Sequence, residues 1–336
     1  MSKLDIFCHI FPRSFVKGLG GSIIPKSFEF LSGDTETAQC FVDGDERVRR
    51  MDRYGIEIEA LTVSLTTVWT RVPASETMRV TRLANDSLAQ LAQKHRDRLV
   101  PIAAIPDQGS GEALDELDRA INDLGMKGCM IFSNVRGRPI DSPEFDEFYG
   151  KMEKFDLPIL LHPATWTYYD WIREHDLIQI FGWPFDTSLA MARLVFGGVM
   201  ERHPGLKVVC HHVGAMIPHF AERIRGMYDV AAERGGNLNA TGKEGPQGPR
   251  LKKHPMEYFR QFYGDTTTNG GLSELRCGYE FFGAEHLLFA TDYPFGPQDG
   301  ERWLKSTIKN VEDLEVTQEE RELIFERNAR RILKLD

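Results

Sequence analysis

A single (β/α)8 barrel is the fold this sequence predicts, and three observations carry it. Eight short strand-like runs follow one another: Leu4–Cys8, Ile58–Ser64, Leu99–Ile105, Gly128–Ser133, Leu157–His162, Leu206–His212, Phe262–Thr267 and Leu287–Thr291. Several are continuously apolar rather than alternating, as parallel strands covered on both faces must be. Amphipathic stretches separate most of them, and strand–helix alternation through the chain reads as a closed parallel barrel. A doubly wound open sheet would want a Gly-rich phosphate turn after an early strand, and the sequence has none.

The elements follow in order. The first run ends at His9, and Pro12–Cys40 is an excursion rich in glycine (Gly18, Gly20, Gly21). Helical spacing of apolar residues marks Glu76–Lys94, Gly111–Leu124, Pro143–Phe155, Ser188–Glu201 and Met216–Glu233. Ala164–Thr187 is a second excursion, dense in aromatics (Trp166, Tyr168, Tyr169, Trp171, Phe181, Trp183, Phe185). Loops after barrel strands sit at the catalytic mouth, so both excursions are candidate lids or interface segments. Gly235–His254 reads as an exposed excursion. Thr317 and Glu320 form a capping-box pattern that opens a closing helix over Thr317–Lys334. No linker or composition break divides residues 1–336, so one domain is expected.

Composition narrows the function. The 336 residues are 41% hydrophobic and carry a net charge of −9, which argues against a nucleic-acid or anionic-membrane binder. No apolar run is long enough to span a bilayer, and the N-terminus does not resemble a signal peptide. Five scattered cysteines without a CxxC pair exclude a disulfide framework or a Cys-rich zinc site and fit a reducing cytoplasm.

Polar residues gather at the C-terminal ends of the runs: His9, Asn134, His162, His211 and His212, Asp265, Asp292. A lone strand-end His is commonly an ordinary buried polar residue. Several His and an Asp at the same end of separate strands are the donor types of a catalytic divalent-metal site. Strand alternation lets only one of His211 and His212 point inward. Trp69 and Arg71 after the second strand, and Asn134 and Arg136 after the fourth, are further candidates at the mouth; surface capping is the plain alternative for the last two. Asp186 reads as a helix N-cap. His175, His203, His254 and His286 read as solvated, and His219 is left open.

The segments LDIFCHIFP (4–12), LPILLHP (157–163), HPGLKVVCHHVGAMIPHFAERI (203–224) and LLFATDYPFG (287–296) resemble the amidohydrolase-related decarboxylases of the aminocarboxymuconate semialdehyde and γ-resorcylate decarboxylase type. The resemblance covers nearly the whole chain. It implies a barrel of the amidohydrolase superfamily, a homodimer, one Zn or Mn ion, and loss of CO2 from an aromatic or muconate-like acid. Residue by residue, it implies metal ligation by His9, His162 and Asp292, acid/base work by His212 and Asp292, and a substrate-side role for Arg223. Phe7, Arg71, Asn134 and Trp183 are the expected substrate-binding positions.

One departure stands out. The family's first-strand motif is His-x-His or Glu-x-His, and here Phe7 takes the first place. Phe cannot ligate a metal, and Cys8 has the wrong parity to replace it. His9, His162 and Asp292 still form a two-His, one-carboxylate set able to hold a divalent ion, Zn first and Mn second. The favoured reading is metal-dependent, non-oxidative decarboxylation of a hydroxybenzoate-like or muconate-like acid. The alternative on the same scaffold is a hydrolase or hydratase acting on a lactone or unsaturated dicarboxylic acid. A metal-free barrel, with Phe7 merely lining a pocket, is the third reading.

Overall fold

The computed structural model describes residues 1–20, 26–33, 35–64, 66–164, 170–233 and 251–335, with only the backbone of Lys26, Ser27, Ser32, Thr67, Thr70 and Arg71. The barrel strands among the described residues are β1 (Leu4–His9), β2 (Ile58–Thr62), β3 (Leu99–Pro101, resuming at Ala103–Ala104), β4 (Cys129–Phe132), β5 (Pro158–His162), β6 (Lys207–Cys210), β7 (Tyr263–Asp265) and β8 (Leu287–Leu288). Each pairs in parallel with the next, the gap in β3 being bridged by Ile102 N–H donating to Leu61 O at 3.1 Å. Closure runs along the β8–β1 seam: Ile6 N to Phe289 O (2.9 Å), His9 N to Tyr293 O (2.8 Å) and Asp292 N to Phe7 O (3.2 Å). The result is the expected α/β barrel.

Among the described residues a main helix follows each strand: α1 (Gly44–Tyr54), α2 (Thr77–Lys94), α3 (Gly111–Asn122), α4 (Asp146–Phe155), α5 (Trp183–Phe196), α6 (Ala221–Glu233), α7 (Leu272–Phe282) and α8 (Glu301–Asp313). Their local causes are legible. At α3, Ser110 Oγ accepts from Ala113 N, and Leu114, Leu117 and Ala120 form the buried stripe. The expected capping box is present: Thr317 Oγ1 accepts from Glu320 N and Glu320 Oε2 from Thr317 N. The helical segment it opens lays Phe325 against Phe289 beside β8. No helix among the described residues is long and apolar enough to cross a membrane.

Several boundaries differ from expectation. The sixth strand stops at Cys210 because His212 and Val213 adopt left-handed φ of 57°. Helix α5 begins at Trp183 with a proline in its first turn, so Asp186 lies inside it and is not its N-cap. The chain then breaks at Gly198 (φ 76°) before a short turn of helix. His203 is not solvated: it sits between Asp146 and Glu153 at 3.2 and 3.3 Å. His254 Nδ1 caps the helix Pro255–Phe259. Of the Gly235–His254 excursion, residues 235–250 lie outside the described residues, as do Gly21 in the first excursion and Trp166, Tyr168 and Tyr169 in the second. The described part of Pro12–Cys40 packs Phe28 against Phe11 and Phe30 against Phe41, and Phe11 and Phe41 in turn meet Phe295 edge-on.

Strand β1 carries a one-residue register shift between Asp5 and Cys8. Asp5 and Cys8 thereby share one face with Glu59, while Phe7 and His9 share the other. Against the first group lies Arg47, fully buried on α1. It pairs with Glu59 at 3.1 Å and donates to the carbonyls of His9, Cys40 (3.3 Å) and Tyr293 (3.5 Å). A guanidinium stays charged at any working pH, so these carboxylates keep it compensated in a dry setting. Arg47→Ala should therefore destabilise the fold by about 3–5 kcal/mol, read by urea denaturation, because it strands buried acid groups. A loss below about 1 kcal/mol would contradict that account.

Candidate active site

The mouth is built from residues just at or beyond the strand ends. His9 closes β1 and His162 closes β5; His211 follows β6 directly, and Asp292 lies on the turn after β8. All four are buried.

Each of three imidazoles has one nitrogen committed. Thr62 Oγ1 donates to Cys8 O at 3.1 Å, so it accepts from His9 Nδ1 at 2.5 Å. His162 Nδ1 donates to Pro163 O at 2.8 Å. His211 Nδ1 hydrogen-bonds to Asp265 Oδ2. Asp265 is held in turn by Val213 N (3.1 Å) and Thr267 N (3.0 Å). These bonds commit each Nδ1 and leave Nε2 as the uncommitted nitrogen of each ring. One ring nitrogen of each of His9, His162 and His211 lies within 4.8 Å of the others. His9 Nε2 stands 3.0 Å and His211 Nε2 3.4 Å from Asp292 Oδ1, and neither makes an aligned hydrogen bond there.

Burial and neighbouring charges together set the titration of these groups. It lowers His9, and it lowers His162 well below the usual imidazole range, helped by the charge of the neighbouring histidines. Burial would lower His211 too, but the Asp265 carboxylate outweighs it and lifts the ring to about 10. Burial would raise Asp292, yet its His211 and His9 contacts hold it far below the usual carboxylate range. His212 is pushed down to about 4 by burial and then by its neighbour His211.

A buried, ionised carboxylate ringed by unpartnered imidazole nitrogens is a donor set that a divalent cation fits. The Asp5–Cys8–Glu59 trio also gathers donor types, but Arg47 already fills that place with charge, and burial pushes the Cys8 thiol up.

The other expected residues fall in several places. His212 does not alternate away from the site. Its left-handed backbone turns its ring to within 4.0 Å (centroids) of His211, with Nδ1 buried and unpartnered. A ring nitrogen of His212, one of His211 and an Asp292 oxygen lie within 4.8 Å of one another. Phe7 points into the mouth, 4.2 Å from the His211 ring, and Trp183 lies 6.4 Å from His162. Phe295 and Phe132 complete an apolar wall around His9 and His162. Arg223 is exposed on α6, and so is His219 just before it. The Arg71 side chain lies outside the described residues.

Asn134 has both ends of its amide occupied, donating to Ala164 O and accepting from Gly137 N at 2.8 Å. Arg136 is likewise engaged, with Val72 O and Thr77 Oγ1 at 2.9 and 3.2 Å. Sequence reasoning undervalued His211 and Asp265. The double His and the Asp at the next strand end were visible, but alternation alone could not decide which ring faced in. Asn134→Ala should cost about 1–3 kcal/mol in stability by releasing the β4–β5 loop contact. Kinetics on the folded variant should leave KM within about twofold, and a tenfold rise would restore Asn134 to substrate binding.

Known proteins resemble this chain over most of its length. The family model described as amidohydrolase matches residues 35–335. The γ-resorcylate decarboxylase of a Rhizobium species is 31% identical over 307 residues, 87% of each chain. A crystal structure of 2,6-dihydroxybenzoate decarboxylase in complex with 2,6-dihydroxybenzoate superposes with a TM-score of 0.80 at 27% identity, covering 100% of this chain and 99% of that one. The dihydroxybenzoic acid decarboxylase of a Polaromonas species, solved with manganese and 2-nitroresorcinol, gives 0.79 at 25% identity, with 99% and 97% covered. From the barrel, the convergent His and Asp at its mouth and these matches, the chain belongs to the amidohydrolase family.

Proposed function

We propose that this protein is a metal-dependent, non-oxidative decarboxylase of a small aromatic acid bearing a hydroxyl beside its carboxylate. The observation that carries the reading is the set of imidazole nitrogens converging on Asp292 inside an aromatic wall. His9, His162 and Asp292 are the residues that would hold the ion, Zn in the first instance and Mn in the second. Bound there, it would supply a fixed positive charge for the carboxylate and the adjacent oxygen of the substrate.

The chain's own residues carry the rest. Phe7, Phe132, Phe295 and Trp183 give a planar ring an apolar slot and limit water around it. The proton must arrive at the ring carbon that bears the carboxylate. The electrons of the breaking C–C bond then return to the ring, and CO2 leaves; one proton is consumed for each CO2. His212, with Nδ1 unpartnered beside Asp292, is assigned that delivery with a proton taken up from solvent, and the ionised Asp292 favours the protonated form of the ring. Arg223, exposed on α6, is assigned the attraction of an anionic substrate toward a protein of charge −9. The net charge speaks against nucleic acid as a partner, and the free thiols favour a reducing compartment such as the cytoplasm.

Hydroxybenzoates and carboxymuconates, followed by ultraviolet absorbance with and without Zn or Mn, should reveal CO2 loss that exhaustive chelation abolishes. His162→Ala should lose metal and activity together. His212→Ala should keep its metal while turnover falls about 100-fold or more, and Arg223→Ala should chiefly raise KM. Full activity in metal-free protein would end this reading, and near-normal turnover in His212→Ala would remove that residue from it.

We propose a homodimer as well. Trp171, Ile180, Phe181, Phe185 and Leu189 expose large apolar surface on and beside the second excursion, more than an isolated loop ordinarily carries. Sedimentation at micromolar protein should give twice the mass of one chain, and a monomer would refute it.

A further inference from the structure

Phe7 raises a question of ligand number. The set His9, His162 and Asp292 offers three protein donors, and the first-strand position that would add a fourth holds a benzyl ring. We infer that His211 supplies the missing ligand through Nε2, oriented by Asp265, so that the ion of this protein is held by His9, His162, His211 and Asp292. The inference rests on the metal reading above and goes beyond it.

Four features support it. His211 Nε2 is fully buried and has no hydrogen-bond partner. Such an atom is costly unless it gains a partner. Its Nδ1 is bonded to the buried Asp265, the carboxylate–histidine arrangement that commonly aims a metal-bound imidazole. The distance from His211 Nε2 to Asp292 Oδ1 is 3.4 Å, and two donors about 2.1 Å from one ion in a tetrahedral arrangement lie about 3.4 Å apart. Lastly, Phe7 packs on the ring of His211 itself, at 4.2 Å between centroids and tilted 36°. The residue that cannot ligate buttresses the one that can.

His212 is the rival for this place. Its ring also lies near Asp292, but it has no carboxylate holding its other nitrogen, and it is absent from the His9–His162 cluster. The geometry therefore divides the pair, His211 toward the ion and His212 toward the substrate.

The test measures metal, not turnover. Wild type, His162→Ala, His211→Ala, His212→Ala and the double variant Phe7→His/His211→Ala are loaded with Co(II) or Zn(II) and dialysed. Metal is then counted by mass spectrometry, affinity is taken by competition with a chelator, and Co(II) spectra are recorded. His211→Ala should bind at least about 100-fold more weakly, and Asp265→Asn about 10–100-fold more weakly. His212→Ala should match wild type. Phe7→His should return stoichiometric metal to the His211→Ala background, which also shows that the single variant had not merely failed to fold. If His211→Ala does not fold, His211→Gln with Asp265→Asn reads the same affinity. Unchanged affinity in the His211 variants, with metal lost from His162→Ala, overturns the inference and leaves the metal reading standing. Absence of stoichiometric metal from wild type overturns both.

Discussion

The mouth of this barrel depends on how a buried carboxylate is neutralised. Asp292 is nearly sealed from water, and a bare charge there is prohibitive without partners. Its neighbours are imidazoles whose outer nitrogens are tied to Thr62, Pro163 and Asp265. Those outer bonds orient each ring, and orientation turns three ordinary buried histidines into a convergent donor set. Asp265 extends the constraint one layer out. It takes the His211 ring and the amide of Val213, a β-branched residue at a φ of 57° that needs firm support to persist.

The scaffold answers that constraint by bracing β1. The register shift between Asp5 and Cys8 separates two chemistries on one strand: Phe7 and His9 face the mouth, and Asp5 and Cys8 face the helices. On the helix side Arg47 ties Glu59 to the carbonyls of His9 and Tyr293, the residues flanking the β8–β1 junction. An arginine suits this place because its planar fork can satisfy several acceptors at once without surrendering charge. The charged cluster outside the strand and the donor cluster inside it share His9, so the two faces hold one backbone position from both sides.

Much of this was legible in the sequence, and the gaps have physical causes. Continuous apolar runs such as those around Ile159 and Val208 announced parallel strands, since both faces of each had to be covered. His9, His162 and Asp292 declared themselves by recurring at strand ends. Strand parity failed at His211 and His212, because alternation presumes extended backbone and the chain leaves it at His212. Asp186 misled because a proline-led first turn starts α5 before it. Arg47 gave no signal at all: its partners, Glu59 on the next strand and carbonyls on both sides of the seam, become neighbours only once the barrel closes. Asn134 looked like a mouth residue, and its amide is engaged by Ala164 and Gly137, contacts that only the folded loops bring round it.

The seam between β8 and β1 has a wider meaning. The hydrogen bonds that close the barrel come from Ile6, His9 and Asp292, and two of those three residues also belong to the donor set. Closing the cylinder and assembling the site thus draw on the same residues. Any ion held there binds only the closed form, so its occupancy adds to the free energy of closure through mass action. Local opening along this seam would expose its amides to hydrogen exchange and release the ion in the same motion. Retention of such an ion and cooperative stability would, in this architecture, be two readings of a single equilibrium.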